Sequence, residues 1–186
     1  MLRGGVIKEQ GADVFGLTRL EGVLFDLDGT LVDSVPDLAE AARRMLIELG
    51  EPPRSDEEIA EFVGKGIPVL VERALTVGRT SVSEETLSRA TRCFMAHYSE
   101  TNGSRTVCYP SVPEVLTRLK SSGLKIGCVT NKASSFVTPL LDQLGLLPLF
   151  DCIVAGDTLA NKKPEPEPIW HACDQLGVSR AHVLMV

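Results

Sequence analysis

The stretch Leu24-Phe25-Asp26-Leu27-Asp28-Gly29-Thr30-Leu31-Val32-Asp33 decides how the rest of the chain is read. An apolar run, Val23 to Phe25, leads into two carboxylates spaced two apart. Gly29-Thr30 then breaks the pattern, as expected where a buried parallel strand empties into a loop. Side chains of an extended segment repeat every two residues, so Asp26 and Asp28 lean to one side while Leu27 points away. Two anions held that close call for a cation, and an oxygen-rich pair suits Mg²⁺ better than a softer metal.

Downstream, Ser34 followed by Pro36 and Asp37 opens a helix whose apolar stripe, Leu38, Ala41, Ala42, Met45, Leu46 and Leu49, runs to Gly50. Ser55 to Glu58 fits a capping box at the head of a short helix. Gly64-Lys65-Gly66 interrupts before a third helix near Pro68 to Thr76, and Ser81 or Ser83 caps a fourth through Tyr98. Helix after helix without an intervening strand, inside an otherwise alternating pattern, predicts an inserted helical cap over residues 34–107. From Ser111 the order becomes helix, strand, helix, strand, helix, strand. Apolar strands are expected at Lys125–Thr130, Cys152–Ala155 and Val183–Val186, with helices at 111–123, 134–144 and 167–176. Such alternation predicts a parallel, Rossmann-like α/β sheet formed by residues 21–33 and 108–186, with ligands gathering at the carboxyl ends of its strands. Residues 1–20 carry four glycines and no sustained period, and read as a leader of unknown role.

The 186 residues carry 19 basic and 25 acidic side chains, a net charge of −6, which speaks against a nucleic-acid binder and requires any phosphate affinity to be local. Cys93, Cys108, Cys128, Cys152 and Cys173 are odd in number, widely spaced and without a Cys-x-x-Cys pair, so they read as reduced core residues rather than a disulfide framework or a zinc site. His97, His171 and His182 likewise read as scattered, without ligand spacing. No run approaches the ~20 apolar residues of a membrane span, and the expected location is the cytoplasm.

Chemistry-bearing residues fall at the ends of different strands: Asp26 and Asp28, then Thr130-Asn131, then Gly156-Asp157 with Lys162-Lys163 beyond. A phosphate monoester resists hydrolysis because its anion repels nucleophiles, so a catalyst must position an attacking oxygen, neutralise the phosphoryl oxygens and protonate the leaving group. Asp26 suits the nucleophile and Asp28 the acid and base, with proximity to Asp26 and the phosphate favouring its protonated form. Thr130, Asn131 and loop amides near Gly29 suit phosphoryl donors, and Lys163 a fixed positive charge. Lys65 suits a cradle from the cap, on a loop that equally reads as a plain helix break. Asp33 and Asp157 suit capping or loop hydrogen bonds. An EF-hand loop is excluded, because Leu31 and Asp37 stand where it needs Gly and Glu.

Asp26-Leu27-Asp28-Gly29-Thr30 resembles the first signature of the haloacid dehalogenase superfamily, and the segments from Thr130 and from Gly156 through Lys163-Pro164 resemble its second and third. Within the superfamily the chain is most similar to the bacterial phosphoglycolate phosphatases. The resemblance implies a Mg²⁺-dependent phosphomonoester hydrolase acting on a small phosphorylated metabolite, foremost 2-phosphoglycolate, through an aspartyl-phosphate. It also implies Mg²⁺ held by a carboxylate oxygen of Asp26 and the main-chain carbonyl of Asp28, with Lys163 facing the nucleophile. A sugar phosphomutase and a non-catalytic binding relative are the alternatives. In the family a strand like Val183–Val186 runs into a further acidic segment that completes the metal shell, and here the sequence stops. The expectation is therefore weak Mg²⁺ binding, low activity unless a partner supplies that wall, and an apolar sheet edge open to association.

Overall fold

The computed structural model describes residues 20–78 and 81–186; the expected leader lies almost wholly outside them. Strand β1, Gly22–Phe25, is buried at every position. It pairs in parallel with β4, Lys125–Val129, on one side and with β6, Val183–Met185, on the other. Beyond β4 lies β5, Cys152–Val154, giving the order β5-β4-β1-β6. The expected parallel α/β architecture is the one observed.

The strands are covered on both faces, and their period of two sorts the side chains. Val23, Phe25, Ile126 and Cys128 pack with Leu116 of helix α5 (Val112–Ser121) and with Val137, Leu140 and Leu141 of α6 (Ser134–Gln143). Leu24, Val129 and Val154 pack with Ala172, Cys173 and Leu176 of α7 (Glu167–Leu176) on the opposite face. Each fully buried large aliphatic side chain contributes about 1.5–3 kcal/mol by leaving water, so this double layer is what fixes the strand ends in space. Among the described residues β6 lies at the edge of the sheet, and its Leu184 and the following Val186 are exposed.

Between β1 and β4 the chain leaves through β2 (Val32–Asp33) and returns through β3 (Val107–Cys108), which pair as a short antiparallel ribbon. Four helices lie between them: α1 (Val35–Glu48), α2 (Asp56–Ala60), α3 (Ile67–Thr76) and α4 (Glu84–Thr101). They enclose a core of their own around Met45, Leu46, Ile59, Val71, Leu75, Phe94 and Tyr98. The capping box at Ser55 and Glu58 is formed, and Ser83 rather than Ser81 caps α4. Ser34 departs from its expected capping role: its hydroxyl makes no cap bond, and Asp33 Oδ1 instead accepts the Val35 N–H at 3.2 Å.

Asp37, in the first turn of α1, is fully buried and joins the outgoing and returning chains. Its carboxylate accepts the backbone N–H groups of Gly103, Arg105 and Thr106 at 2.9, 2.8 and 3.0 Å and the Thr106 hydroxyl at 2.5 Å. Hydrogen bonds to a charged acceptor are the stronger kind, and donors orphaned in a buried place are costly. Asp37→Ala is therefore expected to lower the unfolding free energy by about 3 kcal/mol in denaturant titration; a loss under about 1 kcal/mol would show that water replaces the carboxylate.

Candidate active site

Because the sheet is parallel, the residues following β1, β4 and β5 emerge along one edge. The turn after β1 folds tightly around the carbonyl of Leu27, which accepts from the N–H groups of Thr30, Leu31 and Val32. Gly29 makes this reversal at φ +81°, a backbone angle that L side chains rarely adopt. The turn leaves Asp26 and Asp28 at the mouth of a cleft between the sheet and the four helices. Thr130, Asn131 and Lys132 from the strand side and Leu38, Gly64, Ile67 and Tyr98 from the helical side also line it.

Each of the two carboxylates has its own lysine. Lys163 Nζ lies 2.8 Å from Asp26 Oδ1, which also accepts the Leu27 N–H at 2.8 Å. Lys132 Nζ lies 3.0 Å from Asp28 Oδ1, which also accepts the Ser34 hydroxyl at 2.6 Å. Lys132, with only 3% of its side chain exposed, also donates to the Tyr98 hydroxyl, its ammonium 4.8 Å from the ring centre. Burial first, then the negative charges of Asp28 and Asp37, hold the Tyr98 phenol well above its ordinary pKa, so it stays protonated.

The loops carrying these groups are locked together. The Asn131 side-chain amide donates both to Lys163 O at 2.9 Å and to Gly64 O at 3.0 Å, tying the β4 loop to the β5 loop and to the helices. Gly156 seats one strand-end loop on the other: its N–H donates to Lys132 O at 2.8 Å, and a Cβ added there would lie 2.1 Å from the Asn131 carbonyl oxygen. Asp157 takes the loop function expected of it, accepting the Ser134 N–H and hydroxyl, both at 2.9 Å, at the start of α6. Burial pulls the Asp157 carboxyl upward, but the two Ser134 donors, its own backbone N–H and the charge of Lys162 together hold the group below the usual carboxylate range.

The structure thus gathers Asp26, Asp28, Thr130, Asn131 and Lys163 into one place and adjusts three expectations. The Asn131 amide is engaged with two carbonyls rather than turned to a ligand. Gly29 N–H donates to Val32 O at 2.9 Å, within the turn, because the reversal needs that bond. Lys65 is exposed and is not among the residues lining the cleft, whereas Gly64 and Gly66 are. Sequence reasoning missed Lys132, Tyr98 and Ser34 as partners of the site. Lys132 follows Thr130-Asn131 directly, and a lysine one step past a buried strand end was the available signal.

Residues 23–186 match the family model of the haloacid dehalogenase-like hydrolases. The chain belongs to that family. It is 42% identical over 171 residues to the phosphoglycolate phosphatase of Nitrosococcus oceani, covering 91% of this chain and 76% of that protein. To the phosphoglycolate phosphatase of Psychrobacter arcticus it is 44% identical over 169 residues, covering 88% and 73%. Among solved structures, a predicted phosphoglycolate phosphatase from Haemophilus somnus superposes with a TM-score of 0.83 at 32% identity, over 91% of this chain and 77% of that one. Among the described residues no helix is long and apolar enough to cross a membrane.

Gly156→Ala forces the Asn131 carbonyl aside and is expected to lower stability by about 2 kcal/mol, the usual scale of overpacking. Thermal unfolding monitored beside wild type checks this, and an unchanged midpoint would mean that the two loops are not in the close contact described.

Proposed function

We propose that this chain is a Mg²⁺-assisted phosphomonoesterase for a small organic phosphate, foremost 2-phosphoglycolate. The observation that carries the reading is the 2.8 Å pair of Lys163 and Asp26 at the mouth of a cleft that also holds Asp28. The cleft that receives the ligand lies between the sheet and the helices, open to solvent at its mouth. The names of the curated relatives point to the same substrate.

Asp26 attacks phosphorus through its carboxylate, and the bond from phosphorus to the ester oxygen breaks. Both hydrogen bonds described for Asp26 fall on Oδ1, which leaves Oδ2 as the attacking atom. Asp28 protonates the departing alkoxide. Because its Oδ1 accepts from Ser34 and Lys132, the transferable proton sits on Oδ2. The sequence reading counted Asp26 and the phosphate around Asp28 but not Lys132, which adds an opposite charge and a fixed orientation. In the second half, Asp28 takes a proton from water, the resulting hydroxide attacks the aspartyl-phosphate, and inorganic phosphate leaves with Asp26 restored.

The donor set fits Mg²⁺. Two ammonium groups face the Asp26 carboxylate and an arriving phosphate dianion, so even with Asp28 carrying the proton it donates the cleft is net negative unless a divalent cation joins it. The Asp28 carboxylate is held by Lys132, consistent with its main-chain carbonyl, rather than its side chain, joining Asp26 in holding the ion. The oxygen donors are hard, as Mg²⁺ prefers, and when bound it would neutralise developing charge on the phosphoryl oxygens.

A screen of 2-phosphoglycolate, p-nitrophenyl phosphate and sugar phosphates, reading phosphate release with and without chelator, tests the proposal. Asp26→Asn is expected to lower kcat at least a thousandfold and chelation to abolish turnover; full activity of Asp26→Asn would sink the nucleophile assignment. Sugar-phosphate interconversion without phosphate release would identify a mutase instead. Lys132→Met is expected to lower kcat about tenfold to a hundredfold with a smaller change in KM, because it frees Asp28 from its held position. A variant of unchanged kcat would remove Lys132 from the machinery.

A further inference from the structure

Away from the cleft, on the outer side of the helices, three ligand-bearing side chains meet. Cys93 and His97 lie four residues apart on α4, hence one turn apart on one face. Glu48, the last residue of α1, reaches them from the neighbouring helix. Its Oε2 is 2.9 Å from His97 Nε2, and the Cys93 sulfur stands beside this pair. One ligand atom from each of the three lies within 4.8 Å of the others.

We propose that Glu48, Cys93 and His97 form a binding site for a borderline-soft divalent cation of the Zn²⁺ type, distinct from the oxygen-donor site at Asp26 and Asp28. The argument is the donor set. Thiolate, imidazole and carboxylate together are ligands such an ion takes at about 2.0–2.3 Å, and Mg²⁺ does not select them. A tetrahedral ion holds its ligand atoms about 3.6 Å apart by those bond lengths. The closure needed from the present spacing is within reach of Glu48, whose side chain is 58% exposed and free to adjust, while the helix fixes the other two. A thiolate and a carboxylate supply two negative charges against the dication, and water takes the fourth position on this solvent-facing surface. Arg89 lies near both Cys93 and Glu48 and opposes the cation in part.

A reactive-thiol role is disfavoured on the same geometry. Burial, followed by the Glu48 carboxylate, pushes the Cys93 thiol up to about 11, so the unmetallated group is a poor nucleophile. The metal would displace that proton to bulk water and join the C-terminal end of α1 to the middle of α4, the two longest helices of the insertion. The sequence reading excluded zinc because the cysteines are widely spaced and the histidines scattered. It overlooked that a Cys and a His four apart on a helix are themselves ligand-spaced.

The test uses the full chain, stripped of metal by chelator and titrated with Co²⁺ alone. The expected result is one equivalent of Co²⁺ giving a thiolate-to-cobalt charge-transfer absorption, displaced by Zn²⁺. That band is lost in Cys93→Ser, weakened at least tenfold in affinity in His97→Gln and Glu48→Gln, and retained in Asp26→Asn. Zn²⁺ should also raise the melting temperature of wild type by several degrees and leave that of His97→Gln unmoved. Absence of the band in folded wild type, or its persistence in Cys93→Ser, overturns the proposal whatever the outcome of the phosphatase assays.

Discussion

The contact between Lys163 Nζ and Asp26 Oδ1 is the feature that the surrounding structure must hold in place. Neither partner is fully buried, and a partly exposed ion pair adds little to folding stability on its own. It therefore cannot hold the loops in place; the loops must hold it. They do so because β1 and β4 are adjacent in one parallel sheet, so that their following residues emerge side by side. The loop after β5 is then seated on the β4 loop by a glycine that leaves no space for a Cβ. What reaches solvent is a carboxylate and an ammonium already in position, which is the condition for electrostatic stabilisation without reorganisation.

The second ammonium belongs to a different level of organisation. Lys132 starts from the sheet but finds its partners on both sides of the cleft: Asp28 on the strand side and Tyr98 on α4. Asn131 is bivalent in the same sense, through Lys163 O and Gly64 O. The contacts to Tyr98 and Gly64 join the helices to the sheet across the cleft, while the ribbon of β2 and β3 and the bonds to Asp37 join the outgoing and returning chains. The disposition of Asp28 is thereby tied to α4 through one buried lysine.

Read as a sequence, the chain yields its alternation of strands and helices, the four-helix interruption, and the residues Asp26, Asp28, Thr130, Asn131 and Lys163 as a convergent set. All of these rest on local signals: buried apolar runs, capping residues such as Ser55 and Ser83, and acidic or polar residues directly after strands. Helix Glu167–Leu176 and the capping box at Ser55 are legible for that reason. Local patterns carry periodicity and punctuation, and those suffice to say that a parallel sheet brings its strand ends together.

Only the tertiary structure decided which donors face a ligand and which hold the protein to itself. The Asn131 amide, the Gly29 N–H and the Ser34 hydroxyl all turn to internal partners, and nothing in their neighbours along the chain distinguishes these fates. The same holds for Lys132, one basic residue among 19, and for the meeting of Glu48 with Cys93 and His97. These are pairings between residues far apart in sequence. A hydrogen bond or a ligand set across such a gap depends on side-chain distances that packing alone sets, and local propensity carries no record of them.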